Sequence, residues 1–172
     1  MTNQTLCFIG AGNMARSLIG GLLADGWPAG RICATDTDPD QRDTLTARFG
    51  ITSGDDNGIA AQTADVVVLA VKPQVMHTVA EEIAAAVQTR RPLVISIAAG
   101  IRATDLERWL GGNAAIVRCM PNTPALVQSG ATALFANPRV STGQRDLAES
   151  ILRAVGLTLW LDREDLMDAV TA

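Results

Sequence analysis

The chain has 172 residues, enough for one domain with a sizeable core and short for two. Hydrophobic residues make up 48% and charged residues 19%, which excludes the low-hydrophobicity, high-charge regime of disordered chains. The net charge is −4 and no run of Lys or Arg occurs. A nucleic-acid or anionic-membrane partner is therefore not expected, because no extended positive face exists to neutralise phosphates.

The opening Met1-Thr2-Asn3-Gln4 carries no basic segment, and the apolar stretch from Leu6 is broken by glycines, unlike a signal peptide or a membrane span. Cys7, Cys33 and Cys119 are odd in number and sit at no metal-ligand spacing. Free thiols in a reduced, cytoplasmic protein are the expectation.

Along the chain, short apolar runs alternate with segments of helical period. The runs are Leu6–Ile9, Ile32–Ala34, Val66–Val71, Leu93–Ile97 and Ala115–Val117, and continuous Val/Ile/Leu runs predict strands buried on both faces. From Asn13, the residues Met14, Leu18 and Leu22 make one apolar stripe. Asp38-Pro39-Asp40-Gln41 offers a capping acid and a proline at the first helical position, for a helix burying Leu45 and Phe49 and stopping at Gly50. Val75, Val79, Ile83 and Val87 predict another helix. Ser141 and Gln144 form a capping box ahead of Leu147, Ile151 and Val155, with Gly156 as the stop. Gly130–Phe135 and Gly156–Leu161 read as extra strands at one sheet edge, where antiparallel pairing is open to them. The predicted fold is an α/β, doubly wound Rossmann-type domain with a mostly parallel sheet and extra edge strands near the C-terminal end.

Gly10-Ala11-Gly12-Asn13-Met14-Ala15 is a G-x-G-x-x-A pattern between a predicted strand and a predicted amphipathic helix. The first glycine permits a tight turn, the second lets backbone approach a pyrophosphate, and Ala15 lets the helix pack close. Free N–H groups at the helix start would face the phosphates. The same pattern without a ligand is simply a glycine-rich turn. Gly20-Gly21 falls inside this helix, which predicts close packing of the helix on the sheet.

Asp36 ends the second run, where an acid accepts from the adenosine ribose hydroxyls of NAD and repels the 2′-phosphate of NADP. It could equally cap the following turn with Asp38, and the nearest arginine, Arg42, falls on the next helix. Ala70-Val71-Lys72-Pro73, Ala98-Ala99-Gly100 and Met120-Pro121-Asn122-Thr123 all fall at the carboxyl ends of predicted strands, the edge at which open α/β sheets bind ligands. Each taken alone is an ordinary loop; together they favour one site. His77, the one histidine, reads as a partly exposed helical residue, and no metal site or serine-nucleophile elbow is predicted.

As a set these motifs resemble the pyrroline-5-carboxylate reductase family. The stretches that carry it are Phe8–Ala15, Leu69–Pro73, Ser96–Gly100, Arg118-Cys119-Met120-Pro121-Asn122-Thr123-Pro124 and Asp165–Thr171. The glycine pattern is shared by many dehydrogenases, and Val-Lys-Pro and Arg-Cys-Met-Pro-Asn-Thr-Pro are the specific parts. The resemblance implies reduction of L-1-pyrroline-5-carboxylate to L-proline by NADPH or NADH. It places Gly10, Ala11, Gly12, Asn13 and Met14 on the pyrophosphate, Ala70 to Pro73 along the cofactor, and Ala98 to Gly100 with Met120 to Thr123 near the nicotinamide. It places Asn57 near the adenosine ribose. Asp36 departs from a family position often compatible with a 2′-phosphate. The resemblance further implies a dinucleotide-binding domain over 1–162, with 163–172 opening a helical second domain that dimerises and completes the substrate site. These residues alone are then expected to bind dinucleotide without turnover. A non-catalytic dinucleotide-binding module and a β-hydroxyacid dehydrogenase of similar fold are the competing readings. No residue is assigned as general acid.

Overall fold

The computed structural model describes residues 3–122 and 130–171. Strands β1 (Leu6–Ile9), β2 (Ile32–Thr35), β3 (Thr52–Gly54), β4 (Val66–Leu69), β5 (Leu93–Ser96), β6 (Ala115–Pro121), β7 (Gly130–Ala136) and β8 (Gly156–Trp160) make one sheet. Their order is β3-β2-β1-β4-β5-β6-β7-β8. The helices are α1 (Asn13–Ala24), α2 (Pro39–Phe49), α3 (Asn57–Thr63), α4 (Pro73–Arg90), α5 (Ala103–Trp109), α6 (Thr142–Arg153) and α7 (Leu166–Thr171). Neighbours from β3 through β6 are parallel, β7 runs antiparallel to β6, and β8 is parallel to β7. This is the doubly wound Rossmann arrangement with two strands added at one edge. Strand order reverses between β1 and β4, which leaves a crevice above their carboxyl ends.

Both faces of the sheet are covered at β1, β4 and β5, so those strand sequences are apolar without alternation, whereas at the edge strand β8 Leu157 and Leu159 stand exposed. Leu6 and Phe8 of β1 join a core with Leu18 and Leu22 of α1 and Ile151 of α6. Cys7 and Ile9 point the other way, into a core with Met76 and Ile83 of α4 and Leu106 of α5. The predicted caps are present. Asp38 accepts from the Asp40 N–H, Gly50 ends α2 in the left-handed conformation, and Ser141 with Gln144 forms the reciprocal capping box of α6.

Several boundaries differ from the sequence expectation. Ala70, Val71 and Ile97 lie beyond the ends of their strands, whereas β6 continues through Pro121. The Met120-Pro121 stretch, expected in a loop, is therefore strand paired to β7, with Met120 opposite Ala133 and Pro121 opposite Thr132. Val75 stands 47% exposed; the buried face of α4 is Met76, Val79, Ala80, Ile83, Ala86 and Val87, a wider stripe starting one residue later. Helix α6 stops at Arg153, and Gly156 opens β8 instead of ending the helix. Among the described residues, no helix is long and apolar enough to cross a membrane.

Candidate functional site

The glycine turn is built by close contact with the neighbouring strand. Gly10 has φ +100, its N–H donates to the Thr35 carbonyl at 2.8 Å, and a Cβ there would stand 2.5 Å from the Ala70 carbonyl oxygen. Gly12 caps α1 with no side-chain hydrogen bond, no acidic residue lies in the first turn, and a Cβ on Gly12 would meet nothing within 4 Å. Gly12 and Asn13 are exposed, Met14 is half-buried, and Ala11 is buried. The first N–H groups of a helix have no partner inside it. Here they open onto the crevice of the strand-order reversal, at the positive end of the helix dipole.

On the β2 side, Asp36 faces this turn. One carboxylate oxygen accepts from the Ala11 N–H and the other from the Asp38 N–H, each at 2.9 Å. The acid thus clamps the glycine turn to the β2–α2 loop, and the turn-capping alternative is part of its work. Arg42, which the sequence placed on the next helix, reaches back across the same loop; its Nη1 donates to the Asp36 carbonyl at 2.8 Å. Asn57 begins α3 beside the end of β2. Its side-chain oxygen accepts from the Thr35 hydroxyl at 2.6 Å, and its amide donates to Glu82 at 2.8 Å.

On the other side of the crevice, Lys72 is exposed at the N-cap of α4, followed by Pro73 as the first helical residue. Ala98 is buried, while Ala99 and Gly100 are exposed. Asn122 continues the β6–β7 ladder, since its side chain accepts from the Ala131 N–H at 3.0 Å and its own N–H donates to the Ala131 carbonyl at 3.3 Å. Thr123 lies outside the described residues. The fold therefore brings the glycine turn, Asp36, Asn57, Ala70–Pro73, Ala98–Gly100 and Met120–Asn122 to one rim of the sheet. His77 lies on α4 with its ring stacked on Trp109 and its Nε2 3.0 Å from Glu81. Among the described residues, no group of three or more His, Cys, Asp or Glu side chains could hold a metal ion.

Cys7 and Cys33 face each other across β1 and β2, three residues before Gly10 and Asp36 respectively. Hydrogen bonding between the two thiols pushes the half-buried Cys33 down from its ordinary value and, with burial, pushes Cys7 far up. Burial likewise raises Cys119. Since the thiolate is the nucleophile and Cys33 is the one partly exposed thiol of the three, Cys33 is expected to be the thiol that reacts in mildly alkaline buffer. With an aromatic disulfide reagent at pH 8, one thiol should titrate quickly and the others only on unfolding. Cys33→Ser should abolish the fast phase; a fast phase that survives it would overturn the assignment.

Residues 5–100 match the family model described as NADP oxidoreductase, coenzyme F420-dependent. The chain belongs to that family. It is also 51% identical, over its whole length, to a pyrroline-5-carboxylate reductase of Pseudomonas aeruginosa, of which it covers 63%. The structure of a pyrroline-5-carboxylate reductase from Coxiella burnetii superposes on 99% of the chain with a TM-score of 0.96 at 45% identity, and 63% of that protein is covered. The Plasmodium falciparum pyrroline carboxylate reductase, solved with NADP bound, aligns over 99% of this chain and 62% of its own, with a TM-score of 0.87 at 26% identity. These relatives carry the name to which the motifs pointed. The chain spans less than two thirds of their length.

Proposed function

We propose that this chain is the cofactor-binding part of a pyrroline-5-carboxylate reductase, which reduces the C=N bond of L-1-pyrroline-5-carboxylate to give L-proline. The observation that carries the reading is the uncapped α1 N-terminus behind a glycine turn at the strand-order reversal. The residues fit a nicotinamide dinucleotide. A side chain at Gly10 would strike backbone, whereas Gly12 leaves open space over exposed N–H groups.

The bound cofactor, NADPH or NADH, supplies the hydride. Gly10 and Ala11, whose own N–H groups are held by Thr35 and Asp36, shape the turn, while Gly12, Asn13 and Met14 present backbone N–H groups and the helix dipole to the pyrophosphate. Asp36 and Asn57 stand at the adenosine ribose, with Arg42 behind the loop. Ala70 to Pro73 run alongside the cofactor, while Ala98 to Gly100 offer small side chains and Met120 to Asn122 stand beside the nicotinamide, the expected partner Thr123 lying outside the described residues. No described side chain is assigned the proton given to the imine nitrogen. Residues 1–162 form the cofactor domain, and 163–172 lead towards a further helical domain through which the enzyme pairs with a second copy. The acidic chain without a basic face suits a cytoplasmic enzyme of a small-molecule substrate, with neither nucleic acid nor membrane as partner.

Fluorescence titration with NADPH and NADH tests this directly, and both should bind. A carboxylate close to a 2′-phosphate costs on the order of 1 kcal/mol or more even in high dielectric. Asp36→Ser should therefore shift the affinity ratio towards NADPH by roughly tenfold. An unchanged ratio would remove Asp36 from the ribose, and failure of both dinucleotides to bind would sink the cofactor reading itself.

A further inference from the structure

The sequence places an arginine in the middle of an apolar strand, Ile116-Val117-Arg118-Cys119, and the structure buries it: only 3% of Arg118 is exposed. A buried guanidinium requires a partner. Arg118 finds it in Glu164, between β8 and α7, with Nη1 2.8 Å from the carboxylate; its Nε meets no acceptor among the described residues. The same carboxylate oxygen also accepts from the Ala103 N–H at 2.6 Å. Ala103 is the first residue of α5 and directly follows the loop that carries Ala98 to Gly100. One oxygen atom therefore ties together strand β6, the loop after β5 and the segment leading into α7. Gly100, Arg118 and Glu164 line a common cavity of about 270 Å³ with Arg102, Asp165 and Asp168.

Position decides what this tie can do. A dinucleotide laid across the strand-order reversal puts its adenosine half over the β2 side and its other half over β4 to β6. Among the described residues, the hydrogen bonds of the Glu164 carboxylate hold two elements of the second side, α5 through Ala103 and β6 through Arg118. We propose that Glu164 is a positioning residue for the nicotinamide end of the cofactor, setting the loop after β5 and the start of the Met120–Asn122 stretch through the Ala103 N–H and Arg118. This rests on the cofactor reading above. Glu164 touches no cofactor itself; it acts through the two groups it binds. Because the residue lies in the segment leading into α7, it also links that helix to the geometry of the nicotinamide end.

The test uses the 172-residue chain, Glu164→Ala, Glu164→Gln and two probes, NADPH and 2′,5′-ADP, the second having only the adenosine half. Glu164→Ala should weaken NADPH binding about tenfold while changing 2′,5′-ADP by less than about twofold. Glu164→Gln keeps an acceptor for Ala103 and should recover part of the loss. Should the alanine variant not fold, the amide variant carries the comparison, an NADPH-selective loss supporting the proposal. Equal weakening of both probes would make the tie merely structural, and no weakening of either would make it irrelevant to the cofactor; both results overturn the proposal. Failure of the unsubstituted chain to bind either probe would instead refute the cofactor reading, and the proposal with it.

Discussion

Replacing Gly10 with alanine is expected to cost about 2–5 kcal/mol of folding stability, whereas alanine at Gly12 should leave the fold nearly intact and weaken dinucleotide binding at least about tenfold. The two glycines sit two residues apart, yet different physics governs them. At Gly10 the backbone has φ +100, which costs an L-residue roughly 1–2 kcal/mol. A Cβ would also lie 2.5 Å from the Ala70 oxygen and 2.8 Å from its carbonyl carbon. That carbonyl follows β4 immediately, and the Ala70 N–H is bound to the Ile9 carbonyl at 2.8 Å, so it has no freedom to retreat. Overpacking of this kind costs roughly a further 1–3 kcal/mol. Against a typical total of about 5–15 kcal/mol, the urea midpoint should fall steeply. Gly12 has φ −74 and free space around a Cβ, so alanine should cost less than about 1 kcal/mol as an N-cap change. The added methyl would stand where backbone must approach the pyrophosphate, and NADPH and NADH affinity should fall at least about tenfold. A folded Gly12→Ala chain that binds normally would show that the turn is not the phosphate cradle.

The half of the fold that carries the glycine turn was legible because its signals are local. A strand buried on both faces, a turn of fixed glycine spacing and a helix with one apolar stripe each announce themselves within a dozen residues. The edge strand β3 did not, since Thr52-Ser53-Gly54 has no apolar residue and is a strand because it hydrogen-bonds to β2. Helices α3 and α5 each span seven residues, too short for a period to emerge. Pro121 argued for a loop, because proline is excluded from central strands. The pairing of β5 with β6 ends at Arg118, however, so beyond it β6 is bonded on one side only. The missing N–H of Pro121 therefore breaks no ladder on the β5 side.

The candidate site divides in the same way. Gly10 to Met14 are marked by spacing, and Lys72 by its place after an apolar run. The Thr35–Asn57 hydrogen bond and the Glu164 tie join residues far apart in sequence, and the Arg42 contact with Asp36 bridges six residues across a loop. No local pattern announces them. The one available signal was Arg118, a charge within an apolar run that demands a buried partner without saying which one.

Gly20 and Gly21 give the second large effect, and here local propensity and packing predict opposite signs. Both lie inside α1, where alanine is favoured over glycine by roughly 0.5–1 kcal/mol. At Gly20 a Cβ would meet only the Phe49 ring, at 3.5 Å, an ordinary contact. Gly20→Ala should therefore stabilise the chain, raising Tm by about 1–4 °C for a domain of this size. At Gly21 a Cβ would stand 2.3 Å from the Ala154 oxygen and 3.0 Å from its carbonyl carbon. The close approach expected between α1 and the sheet is in fact made to the residue that ends α6. Ala154 cannot easily withdraw: its N–H donates to Ile151, and the next carbonyl, of Val155, accepts from the Gly130 N–H at 3.1 Å. Relief would require separating α1 from α6, which share a core with Ile151 and Leu152. The overpacking exceeds the propensity gain, so Gly21→Ala should lose about 2 kcal/mol or more and lower Tm by roughly 5 °C or more. Paired thermal melts decide it, since propensity alone would move both substitutions upward together, whereas contact with the Ala154 carbonyl drives them apart.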